Sequence, residues 1–261
     1  MIVKTFKTSL ILLLLLGANL LKAQPLRIAV AANAQGLIKK LQGDFKKRTG
    51  IKTETIIGAS GKLTTQIMNG APYDVFLSAD TEFPEQLYQA GFGLKKPVVY
   101  AMGSLIVCGD AALDIKNWRS LLGDEKIKNI AIANPKTAPY GKAAVEALNF
   151  YQLKEKIDSK LIYGESISQV NTYIQTGTVA IGFTTEAFLY ETADKIKLKW
   201  ARVDQKSYSP IAQSAILLSF AKKGKLNEAT KFFEYLSSAS AKAIIAKSGY
   251  HLPVNKKIDL P

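Results

Sequence analysis

The chain has 261 residues, 48% of them hydrophobic, and a formal net charge of +14 from 35 Lys and Arg against 21 Asp and Glu. That balance is ample for packed cores and excludes a wholly disordered chain. A single histidine, His251, and a single cysteine, Cys108, leave almost no material for zinc catalysis, a Ser-His-Asp triad or an intrachain disulfide.

The first 23 residues combine Lys4 and Lys7 with an apolar run over positions 10–16 and end on the small residue Ala23, the pattern of a secretory signal peptide. The run is too short to cross a bilayer comfortably, so the expectation is cleavage after Ala23 and an exported, soluble, periplasmic protein. No cysteine adjoins the cut to carry a lipid anchor. Lys4, Lys7 and Lys22 would leave with the leader, which lowers the charge to +11. Lysines such as Lys39, Lys40, Lys46 and Lys47 spread over helix faces without interleaved aromatics. They argue against nucleic acid and for solvated surfaces that draw in small anions. Cys108 lies in the apolar run SLIVCG and is expected to be buried and inert.

Residues 26–32, LRIAVAA, read as a buried strand. Asn33 then opens a helix whose apolar face is Leu37, Ile38, Leu41 and Phe45 and which Gly50 closes. A strand over 52–57 leads into Gly58-Ala59-Ser60-Gly61, a turn without bulk, after which Leu63, Ile67 and Met68 recur at helical spacing. Ser60 is expected to cap that helix. A third strand over 74–77 and a helix over 81–90 continue a β-α alternation, which predicts parallel strands, right-handed crossovers and ligands at the carboxyl ends of the strands. A second series begins with a strand from Ser104 and a short helix over 113–122 carrying Trp118. It continues with a strand over 130–133 and a helix opened by Ala138-Pro139-Tyr140-Gly141, with Pro139 fixing the first turn. Ser166 and Gln169 match a capping box, which leaves the Ile167 N–H in the exposed first turn of the next helix. Strands over 179–183, 198–203 and 215–220 and one long helix over 226–245 complete the chain. The fold class is therefore α/β, in two lobes, each a mainly parallel sheet flanked by helices. Lobe 1 takes residues 24–102 and 213–261, and lobe 2 takes 103–212.

The helix starts at Asn33, Ser60, Tyr140 and Ile167 offer N–H groups without intrahelical partners at the positive end of a helix dipole. A small anion can sit there without any charged side chain. Each start alone is equally consistent with plain capping. Neither a G-x-G-x-x-G fingerprint nor a P-loop is present, since Gly61-Lys62 lacks the upstream glycine and is followed by Leu63. Asp74 and Asp80 bracket DVFLSAD and are the carboxylates a secreted hydrolase would use, although turn and cap roles account for both. His251 reads as a surface or chain-end residue.

The segments AVAANAQ, GASGKLTTQIMNGAPYDVFLSAD, IAIANPKTAPYGKAAVEAL, ESISQV with the following IGF, and SPIAQSAILL resemble periplasmic molybdate-binding proteins of ABC importers. The resemblance spans nearly the whole chain beyond the leader. It implies a two-lobed periplasmic binding protein fold of type II, closing on molybdate and often also on tungstate. It further implies no catalysis, no cofactor beyond that ligand, a monomer, and delivery to a membrane permease with a cytoplasmic ATPase. By position it assigns to the oxyanion Asn33 with the Ala32 N–H, Ser60 with the Gly61 N–H, Tyr140, and the Ile167 N–H. Many members carry a tyrosine after the IGF strand, where this chain has Thr184 and Thr185, and Tyr140 is expected to supply the phenol instead. The residues leave open a binding protein for sulfate, phosphate or a carboxylate, and the secreted hydrolase. A cation or iron carrier is opposed by the lone His251.

Overall fold

The computed structural model describes residues 24–192 and 197–253; the leader expected over 1–23 lies outside them. The first strand, β1 (Leu26–Ala31), is buried along almost its whole length, as a central strand covered on both faces must be. A single 3-10 turn, Ala32–Ala34, links it to α1 (Gln35–Thr49). Leu37, Ile38, Leu41 and Phe45 of α1 face the core, Lys46, Lys47 and Arg48 fill its last turn, and Gly50 ends it in the left-handed conformation at φ 74°. Next come β2 (Thr53–Gly58), α2 (Ser60–Met68), β3 (Val75–Ser78) and α3 (Glu82–Gln89).

Two strands follow back to back, β4 (Val98–Gly103) and β5 (Leu105–Asp110). The sequence pattern missed β4, an edge strand of mixed exposure and no clean alternation. After the short α4 (Trp118–Leu121) come β6 (Ile130–Ala133), α5 (Pro139–Phe150), β7 (Leu161–Gly164) and α6 (Ile167–Gln175). They are followed by β8 (Ile181–Thr185), α7 (Ala187–Thr192), β9 (Leu198–Arg202) and β10 (Ile211–Leu217). The expected connection before residue 215 is thus already strand. The expected long C-terminal helix is two, α8 (Leu226–Tyr235) and α9 (Ala239–Ala246), because the Ser238 hydroxyl caps a new start by accepting from the Ala241 N–H at 3.2 Å.

The strands form two five-stranded sheets with the same plan, ordered β2-β1-β3-β10-β4 and β7-β6-β8-β5-β9. In the first, β1 is parallel to β2 and β3, and only β10 runs against its neighbours; in the second, only β5 does. The reversed strands are those by which the chain enters each lobe from the other. Sheet membership changes between Gly103 and Leu105 and again between Arg202 and Ile211. One apolar cluster fills the second lobe and two flank the first sheet, where Phe45 meets Phe232 edge-on at 5.1 Å. Cys108 is fully buried in the second lobe's cluster and its thiol is pushed up to about 12 by desolvation, which leaves it unreactive. His251 is exposed, and its backbone exchanges two hydrogen bonds with Met102 at the end of β4 where the chain crosses to the second lobe.

Candidate functional site

The carboxyl ends of corresponding strands in the two sheets face each other across a cleft. Ala31 ends β1 and Ala32 and Asn33 follow it, Ala59 and Ser60 follow β2, and Ala79 follows β3; Ala138, Pro139 and Tyr140 follow β6 and Ile167 follows β7. These ten residues line one small pocket. The cavity is only about 10 Å³. That suits one small guest and is far below the several hundred Å³ of an organic-ligand site. No lining residue carries a full charge at neutral pH.

Five of the six sequence-assigned residues, Ala32, Asn33, Ser60, Tyr140 and Ile167, meet in this pocket. Gly61 does not. Its N–H crosses the cleft and donates to the Thr137 carbonyl at 2.9 Å, so it fastens the lobes and is not free for a ligand. A side chain at Gly61 would come within 3.1 Å of the Thr137 Cα, which shows how closely the two backbones approach there.

Ser60 is the first residue of α2, one place later than a cap, and Ala59 takes the cap position. The Ser60 hydroxyl accepts from the Ala79 N–H at 3.1 Å, which engages an oxygen lone pair and leaves its hydrogen to donate. Asn33 also differs from the expectation of a cap. Its side-chain NH₂ donates to Gln213 Oε1 at 2.7 Å and to the Tyr250 hydroxyl at 3.0 Å, which uses both amide hydrogens. Gln213 cannot turn over without losing its donation to the Ala79 carbonyl at 3.4 Å, and the Tyr250 hydroxyl itself donates to the Asn33 carbonyl at 2.7 Å. The Asn33 amide hydrogens are therefore not free for a ligand, being held by two residues from the far end of the chain. Sequence reasoning passed over both, although a lone glutamine in the apolar strand AQSAILL is an informative buried polar group.

Tyr140 is the second residue of α5, after Pro139. Thr185 donates its hydroxyl to the Tyr140 oxygen at 3.0 Å and itself accepts from the Ala187 N–H at 3.3 Å, a chain that polarises the phenol as a donor. Burial pushes the Tyr140 phenol well above its ordinary value, so its hydrogen stays in place. Thr184 turns away and donates to Asn171. Thr185 thus acts behind the phenol, and neither threonine lines the pocket. Ser166 caps α6 with an extended backbone but without a side-chain bond, and Gln169 reaches back to the Glu165 N–H at 2.6 Å, one residue beyond the expected box. Ile167 keeps its place at the head of the helix, where its N–H has no preceding carbonyl to bond.

Asp74 and Asp80 stand at opposite ends of β3, up to about 20 Å apart at ~3.3 Å per residue. Asp74 accepts from the Arg27 N–H at 2.8 Å at the far end of the sheet. Asp80 accepts from the Ser78 hydroxyl at 2.8 Å and from the Phe83 N–H at 3.3 Å, a turn and helix-start role. Desolvation raises the Asp80 carboxyl to about 6, against the bonds from Ser78 and Phe83. The native state therefore holds this proton more tightly than the unfolded chain. Stability falls as pH rises from about 4 to about 6 and then levels off. Asp80→Asn is expected to abolish that slope and to raise stability at pH 7.5 by about 2–3 kcal/mol, as read by urea melts across pH. A slope unchanged in the variant would assign it to another group.

The bacterial extracellular solute-binding protein model matches residues 26–251. Molybdate-binding protein ModA of Azotobacter vinelandii is 36% identical over 92% of this chain and 97% of its own. The Rhodobacter capsulatus protein of the same name is 34% identical over 85% of this chain and 86% of its own. The solved structure of the Azotobacter vinelandii periplasmic molybdate-binding protein superposes with a TM-score of 0.81 at 33% identity, covering 87% of this chain and 99% of that one. Two lobes with one plan, a shared pocket at the carboxyl ends of their strands, and these likenesses along nearly the full chain lead to one conclusion: the chain belongs to the bacterial extracellular solute-binding proteins.

Proposed function

We propose that this protein captures molybdate, and tungstate with it, outside the cytoplasm and delivers it to an ABC permease and its ATPase. The observation that carries this reading is a pocket of ion size walled by uncharged donors from both lobes, with the Ser60 hydroxyl turned to donate by the Ala79 N–H. A tetrahedral dianion exchanges its water for N–H and O–H groups, each charge-assisted bond contributing on the order of 1.5–3 kcal/mol. Closure follows because only the closed form offers both sets of donors at once. A protonated oxyanion must donate a hydrogen and is disfavoured among such donors. Two relatives with molybdate in their names, both similar over most of this chain, support the cargo.

The protein acts as a binder without catalysis and as a monomer. Tyr140 is the only side chain of the lining that titrates, and a phenol held protonated is no base for Ser60. The carboxylates of the hydrolase alternative engage structural N–H groups at the two ends of β3.

Calorimetric titration with molybdate, tungstate, sulfate and phosphate is expected to show tight binding of the first two and binding of sulfate at least a hundredfold weaker. The expectation rests on the molybdate-binding relatives; sulfate shares charge and shape, so ion size is the property left to set the ordering. Sulfate binding as tight as molybdate would replace this cargo with another oxyanion of the same class.

A further inference from the structure

Beside the pocket, and sharing Ala32 with it, lies a wider hollow between the lobes lined by Gly36, Lys39, Lys40, Ser168 and Glu191 among others. Two bonds cross it. The Ser168 hydroxyl donates to Gln35 Oε1 at 3.0 Å, and the Gly36 N–H, in the first turn of α1, donates to Glu191 Oε1 at 3.0 Å. Glu191 belongs to α7, which leaves the second sheet directly after β8. A carboxylate of the second lobe thus occupies the positive end of a first-lobe helix, where the dipole and an unpaired N–H both favour it. The carboxylate occupies the space that a side chain at Gly36 would take. A β-carbon on Gly36 would collide with the Glu191 carboxyl group and stand 2.6 Å from its Cγ, so any other residue displaces the carboxylate.

We propose that Glu191 and Gly36 form a closing latch at the mouth of the cleft, a contact that holds the lobes together around the bound anion and sets how fast the anion leaves. Opening separates α1 from α7 and breaks this solvent-exposed bond, so the latch slows opening without touching the ligand. The inference rests on the oxyanion-binding reading, and it concerns release rather than recognition. Substituting Gly36 separates it from mere structural damage. Gly36 lies within a helix, where alanine is the better former, so Gly36→Ala weakens the latch while leaving the fold as stable or more so.

The test measures dissociation of labelled molybdate by chase, together with thermal melting, for the wild type, Gly36→Ala, Glu191→Ala and the double variant. Each single variant is expected to release molybdate about two- to fivefold faster, with a Tm no lower than that of the wild type for Gly36→Ala. The double variant should release it no faster than Glu191→Ala, because both changes remove the bond between Gly36 and Glu191. Wild-type release rates in Glu191→Ala overturn the latch, as do effects that multiply in the double variant. Should Gly36→Ala melt early, the rate in Glu191→Ala alone decides. A wild-type protein that binds sulfate or phosphate in place of molybdate sinks the proposed cargo alone, and the same rates are then read with that anion.

Discussion

Ser60→Ala is expected to weaken molybdate binding by about ten- to a hundredfold, the larger end corresponding to loss of a bond near 3 kcal/mol. Two effects act together. The ligand loses a neutral donor placed at the head of α2, and the Ala79 N–H, which donates to the Ser60 oxygen at 3.1 Å, loses its acceptor. Ala79 lines the same pocket and Ser60 is 1% exposed, so neither group can turn to bulk water. The fold should survive, because Ser60 does not cap α2 with its side chain and Ala59 already takes the cap position. Calorimetry of Ser60→Ala against the wild type, with melting curves as the control, reads both parts. Unchanged affinity would return Ser60 to a structural role, and Ser60→Thr, which keeps the hydroxyl, should retain more affinity than Ser60→Ala.

The difference between what was legible at Ser60 and what was hidden at Gly61 is physical. A strand, a turn without bulk and a helical apolar repeat are local patterns, so the head of α2 and its orphan N–H groups could be read from adjacent residues. The same holds for Pro139-Tyr140 and for Ile167, and all three reach the pocket. The fate of the Gly61 N–H depends on Thr137, which another lobe supplies, and no local pattern announces a bond across a cleft. Asn33 shows this again. Its position was legible, but the engagement of its amide by Gln213 and Tyr250 joins the start of the chain to its end. The edge strand β4 and the break at Ser238 escaped for the opposite reason, since their local signals are weak and the sheet and the helix packing decide. The α/β class and the two-lobed plan were legible because β-α alternation occurs twice. The reversal of β5 and β10 within otherwise parallel sheets became visible only in the register.

Gly141→Ala is expected to lower stability by about 3 kcal/mol or more, and with it Tm by about 6–12 °C. Gly141 is the third residue of α5 and packs directly on the end of β6. A β-carbon there would collide with the Ala133 carbonyl oxygen, stand 2.7 Å from the Ala133 carbonyl carbon and 3.0 Å from that of Asn134. Those atoms are backbone at the end of β6, a strand buried at every position, and of the residue after it, so no side chain can swing aside to make room. The helix must instead move off the sheet, carrying with it the two preceding residues, Pro139 and Tyr140, which wall the pocket. Affinity for molybdate should therefore fall at least tenfold even in the folded fraction, because the phenol polarised by Thr185 no longer meets the donors of the first lobe. Gly43→Ala provides the contrast. It lies in the interior of α1 with nothing within 4 Å of an added β-carbon, and better helix propensity should make it neutral or stabilising. Scanning calorimetry and titration of the two variants side by side test the argument. If Gly141→Ala melted and bound like Gly43→Ala, the close approach of α5 to β6 would not be what sets Tyr140 in the pocket.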